Sequence, residues 1–137
     1  MAEIEVNQGQ TLEMRRPLSP HLTVYRPMLT MMMSIAHRIT GGALYLGTVL
    51  LVWYLLAAAT GGAAFGFASW FFGSFVGQLV LFAFTFALLH HFFGGIRHLI
   101  WDAGYGFDKD WREYLAIGTL AASVATTLIL FIAAHLA

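Results

Sequence analysis

The sequence predicts an all-α membrane protein with three transmembrane helices, and three observations carry that prediction. Hydrophobic residues make up 59% of the 137 positions and charged residues only 10%, with a mean hydropathy of +0.73. No Asp, Glu, Lys or Arg stands between Arg38 and Arg97, and none stands from Tyr114 to the end. Each uncharged stretch exceeds the roughly 20 residues that a helix needs to cross a bilayer, and the first is long enough for two spans. Backbone groups in hydrocarbon must be paired within their own segment, so such stretches read as helices. At this length there is room for one small domain.

Residues 1–28 form an expected cytoplasmic segment. Glu3, Glu5 and Glu13 precede the Arg15-Arg16 pair, which matches neither a secretory signal nor an Arg-rich, acid-poor transit peptide. Insertion in place in a bacterial plasma membrane is therefore expected in preference to the mitochondrial inner membrane. Between Arg16 and Pro27, the prolines Pro17, Pro20 and Pro27 hold the chain extended or turning. Leu18, Leu22, Val24 and Tyr25 make that stretch a docking strip for a soluble partner.

Residues 29–137 then form a three-helix anchor. Its spans are expected at about 29–59, 69–101 and 113–135, the first two separated by Thr60-Gly61-Gly62-Ala63-Ala64. The connection between spans one and two carries no charge, whereas Arg15, Arg16, Arg26, Arg38, Arg97, Lys109 and Arg112 collect at the other end. The positive-inside rule puts the N-terminus and the second loop in the cytoplasm and the C-terminus outside. Trp53, Tyr54 and Trp70 are expected in the outer aromatic belt, and Trp101, Tyr105, Trp111 and Tyr114 in the inner one.

Composition also excludes functions. The formal net charge is zero, which argues against a nucleic-acid partner. Cysteine is absent, so this chain offers no disulfide, no Fe–S ligation and no covalent haem attachment. A redox role needs a non-covalent cofactor.

Ionisable groups at the end of a span default to a functional reading. His91 and His98 are seven residues apart, about 700° of rotation and roughly 10.5 Å of rise, so they share one helix face at two depths. That suits a flat cofactor held by its metal at one level and by its acidic edge at the other. Gly94 and Gly95 would let a porphyrin face approach, and a helix carbonyl such as that of Ala87 would hold the second ring nitrogen. His90 competes with His91 for the metal but does not share the His98 face. His135 stands at the far end of the third span, and His37 suits a propionate better than iron. A second axial ligand would therefore come from another subunit, making these helices half of a larger bundle. Gly41, Gly42, Ala43 and Gly47 allow neighbouring helices to approach the first span.

Ser34 and Arg38 are four residues apart and share a face. A hydroxyl and a guanidinium near the inner membrane surface can donate to a quinone carbonyl, whose oxygen gains negative charge on reduction. The bland alternative is a packing serine beside a snorkelling arginine.

These residues fall into two motifs: Arg16-Pro17 leading to Ser34-x-x-His37-Arg38-x-Thr40, and His91-x-x-x-Gly95-Ile96-Arg97-His98-Leu99-x-Trp101-Asp102-x-Gly104. Over roughly positions 15–137 the chain resembles the cytochrome b556, or large membrane-anchor, subunits of succinate dehydrogenase. The resemblance implies a heterodimeric helical bundle in which His91 is an axial ligand of haem b iron and a small hydrophobic anchor subunit supplies the other. It implies His37, Arg38 and His98 near the haem propionates, and Ser34 and Arg38 on ubiquinone. Asp102 is left a structural or a proton-supplying role. Succinate chemistry would belong to a flavoprotein subunit, with an iron–sulfur subunit passing electrons to the quinone, so the isolated chain would not be an enzyme. The alternatives are a quinol:fumarate reductase anchor and a haem-free structural anchor. A small transporter finds support only in Ser123, Thr126 and Thr127 of the third span.

Overall fold

Two breaks in the uncharged stretch decide how the chain is laid out. In the computed structural model, which describes residues 26–136, helix α1 spans Leu29–Thr60. It stops at Gly61 and Gly62, whose φ angles of 67° and 57° are left-handed values that favour glycine. Helix α2 covers Gly62–Gly73, 12 residues, roughly 18 Å long and short of the roughly 30 Å hydrocarbon core. The second break is at Ser74. Its backbone is extended, and its Oγ accepts from the Gly77 N–H at 3.1 Å, capping the next helix. The Gln78 side-chain amide donates to the Phe72 carbonyl at 2.7 Å, which satisfies one of the unpaired carbonyls at the end of α2.

Helix α3 is therefore Phe75–Asp102, and α4 is Lys109–Leu136. Three helices, α1, α3 and α4, are long and apolar enough to cross a membrane. The segment from 69 to 73, expected to begin the second span, instead closes α2. A serine cap can start a helix inside an apolar run without any change in hydropathy. The proline-bearing docking strip up to Tyr25 lies outside the described residues.

The aromatic residues expected in an outer belt divide. Trp53 packs on Phe67, Phe71 and Phe72 at 5.6–6.1 Å between centroids, and Tyr54 on Phe65 and Phe72 at 5.4–6.1 Å. These contacts hold α2 against the end of α1, while Trp70 stays exposed. At the opposite end Tyr105, Trp111 and Tyr114 are all exposed, as interfacial side chains should be.

Helix α3 packs against α1, α2 and α4, most extensively against α4. The buried apolar side chains are Met33 and the alanines Ala57, Ala68, Ala87 and Ala116. Small residues bring helices close where lipid removes the hydrophobic drive to associate. In α4 the buried line is Ala116, Thr119, Ser123 and Thr127. Each hydroxyl donates to the carbonyl one turn back: Thr119 to Leu115 at 2.7 Å, Ser123 to Thr119 and Thr127 to Ser123, both at 2.6 Å. Their donors are consumed within the helix, which is a packing role rather than a transport path. Only 6% of the most apolar window of α1 is buried, against 22% for α4. The least covered span is thus the one carrying Ser34, His37 and Arg38.

Candidate functional site

Three of the six histidines meet where α1 crosses α3. On α3, His91, Gly94 and His98 follow at three- and four-residue steps and so share a face. The His37 ring of α1 enters between the two histidines, above Gly94. It stacks on His91 with ring centroids 3.9 Å apart and planes within 8°, and meets His98 edge-on at 5.2 Å and 61°. His98 in turn packs edge-on against Trp101 at 5.3 Å.

Glycine permits this approach from both sides. A Cβ at Gly94 would overlap the His37 ring, and one at Gly41 would stand 3.1 Å from His91 Cε1. The space over Gly94, expected to receive a porphyrin face, is therefore filled by His37. Nothing lies within 4 Å of a Cβ built at Gly95.

His91 Nδ1 lies 3.1 Å from the backbone carbonyl of His37. A carbonyl can only accept, so Nδ1 carries the proton and donates it. The lone pair is then on Nε2, the state of an imidazole ready to bind a metal. The carbonyl expected in this role was that of Ala87, one turn back on the same helix. The partner comes from α1 instead, because the α1–α3 crossing brings that carbonyl within reach of the ring.

His90 is turned elsewhere. It is 2% exposed, stacks on Phe86 at 5.6 Å, and neither of its ring nitrogens has a partner. His91, by contrast, is half-buried. Arg97 is also sealed, at 3% exposed, with its guanidinium carbon 5.2 Å from the centre of the Trp101 ring. Its Nε and Nη1 are unpartnered, as is His37 Nδ1. Sequence reasoning counted Arg97 among the inner-surface charges and missed its burial. The available signal was its position seven residues after His90, on the stripe that also carries Gly94.

The other expected site residues flank this cluster. Ser34 is half-buried and Arg38 exposed, one turn apart on α1 on either side of His37 in sequence. Asp102 is the exposed last residue of α3. Trp101, expected at the membrane surface, is half-buried, and its indole N–H donates to the Gly106 carbonyl at 3.3 Å.

The donor set limits what the site can hold. Among the described residues no three His, Cys, Asp or Glu side chains converge to bind a bare metal ion. A metal already held by a macrocycle needs only one imidazole from this chain. His91 fits that need, and an exposed guanidinium at Arg38 and an exposed imidazole at His98 suit acidic groups on such a ring.

Residues 13–133 match the family described as succinate dehydrogenase/fumarate reductase transmembrane subunit. The chain is 41% identical over 132 residues to the succinate dehydrogenase cytochrome b556 subunit of Paracoccus denitrificans, covering 93% of this chain and 98% of that one. It is 34% identical over 123 residues to the cytochrome b556 subunit of Rickettsia prowazekii, covering 90% and 96%. A succinate dehydrogenase cytochrome b560 subunit of Reclinomonas americana is 39% identical over 102 residues, 71% of each chain.

Proposed function

The chain belongs to the succinate dehydrogenase/fumarate reductase transmembrane subunit family, and we propose that it is the large membrane anchor of a succinate:ubiquinone oxidoreductase. In this reading it donates one axial ligand to haem b and part of the quinone-reducing site. The observation that carries it is the His91 side chain, whose Nδ1–H is taken by the His37 carbonyl, leaving Nε2 for iron. His37, Arg38 and His98 are the groups for the propionates. The named relatives are succinate dehydrogenase subunits, which favours that reaction over fumarate reduction.

When bound, haem b would supply a one-electron carrier. Everything else falls to side chains. Ser34 and Arg38, on one face of α1, bind a quinone carbonyl that enters from the bilayer. The Arg38 guanidinium carries a permanent positive charge, so it stabilises the negative charge that reduction builds on the quinone oxygen. Protons reach that oxygen from the cytoplasmic side through water, and Asp102, exposed at the end of α3, is left either a structural or a proton-supplying role.

The oxidation of succinate belongs to a flavoprotein subunit, and an iron–sulfur subunit carries electrons to the quinone. A second, small hydrophobic anchor would cover the exposed side of α1 and supply the other iron ligand. The assembly lies in a bacterial plasma membrane with the N-terminal, arginine-rich end in the cytoplasm.

The test is a dithionite-reduced minus oxidised spectrum of the purified complex. A b-type α-band is expected. A complex that contains this chain at full stoichiometry and shows no such band would overturn the haem assignment.

A further inference from the structure

We infer that the backbone carbonyl of His37 is the positioning group for His91, and that the stacked His37 ring fixes the crossing that brings the two together. The inference rests on the reading of His91 as the axial ligand. His135 takes the carbonyl one turn back on its own helix, with Nδ1 2.8 Å from the Phe131 carbonyl. His91 departs from this pattern by taking its partner from α1, at 3.1 Å. The plane and tautomer of the ligand ring are therefore set by how α1 sits on α3, and not by α3 alone.

Three features hold that contact. The His37 and His91 rings lie face to face at 3.9 Å. The absence of a side chain at Gly94 admits the His37 ring, and its absence at Gly41 admits His91. The buried Thr40 hydroxyl lies within 2.9 Å of the Ala36 carbonyl and 3.0 Å of the His37 carbonyl, so its one proton can stay on Ala36 and leave the His37 carbonyl for His91. Ser34 and Arg38 belong to the same turn as His37. One turn of α1 thus carries both the quinone donors and the carbonyl that aims the iron ligand, so a shift of that turn acts on both.

The test compares three variants in the purified complex: Gly94→Ala, His37→Phe and His37→Ala. The readouts are the electron paramagnetic resonance signal of the oxidised haem and its midpoint potential, neither of which follows from assembly alone. An added methyl at position 94 displaces the His37 ring. Gly94→Ala is expected to retain haem while changing the oxidised-to-reduced ratio at fixed potential by about tenfold, roughly 59 mV for one electron. His37→Phe keeps a flat ring and the carbonyl, so it is expected to move the potential through the lost propionate partner while keeping the parental resonance signal, whereas His37→Ala should change the signal as Gly94→Ala does.

The inference fails if an assembled Gly94→Ala complex keeps the parental signal and potential. It fails equally if His37→Phe changes the resonance signal as much as His37→Ala does, which would assign that signal to the His37 ring nitrogens. If Gly94→Ala does not assemble, the His37 pair decides. Retention of haem in His91→Leu would instead defeat the ligand assignment on which the inference rests.

Discussion

The His37–Arg38 pair of α1 and the buried hydroxyls of α4 are managed in opposite ways. In α4, Thr119, Ser123 and Thr127 are all buried, and each hydroxyl donates to a carbonyl one turn back in its own helix. In the turn of α1 from Ser34 to Arg38, the groups point to other helices or outward. His37 reaches across to stack on His91, its carbonyl accepts from that ring, and Arg38 is exposed. A polar group that its own helix satisfies is packing material in a membrane. One that relies on a neighbour carries the chemistry, because its satisfaction depends on what binds there.

Substitutions can break or sharpen that contrast. The largest effect among the quinone-side changes is expected from Arg38→Ala. Loss of one preorganised donor to a developing oxyanion lowers the rate by about 100-fold, read in ubiquinone reduction. Succinate oxidation by a soluble dye should stay within about twofold, since the dye bypasses groups acting only on the quinone oxygen. If both activities fall together at normal subunit levels, Arg38 is a structural residue and the contrast weakens.

On α4 the effects should be on stability alone. Ser123 is fully buried, so Ser123→Leu overpacks its surroundings and costs about 1–3 kcal/mol, measurable as a lower midpoint of thermal unfolding in detergent. Quinone reduction per assembled complex should not change. Smaller still is Ser123→Ala. The lost hydroxyl bonded only its own helix, so about 0.6 kcal/mol or less is expected. A large loss of quinone reduction in Ser123→Ala would mean that the α4 hydroxyls take part in function after all.

The three spans were legible because charge is so unevenly distributed, and the two motifs located the histidines and the Ser34–Arg38 pair. The short α2 was not, because Ser74 caps a helix within a run that is apolar on both sides. That omission also explains why Trp53 and Tyr54 read as belt residues: the aromatic helix they pack against was not foreseen. For His91 the face and the depth were legible from spacing, but the carbonyl was not. Spacing alone finds the partner of His135, whereas the partner of His91 depends on a helix crossing that joins residues 54 positions apart in sequence. Burial of Arg97 escaped for the same reason, since the charge pattern alone places it at the membrane surface.

The haem content of two matched variants, His91→Leu and His90→Leu, tests the central claim most directly. Both remove an imidazole from α3, one at the open crossing with α1 and one in the sealed position beside Phe86. Measured per mole of this chain in the purified complex, His91→Leu should lose the haem and His90→Leu should keep it. Haem retained in His91→Leu, or lost only in His90→Leu, would contradict the account.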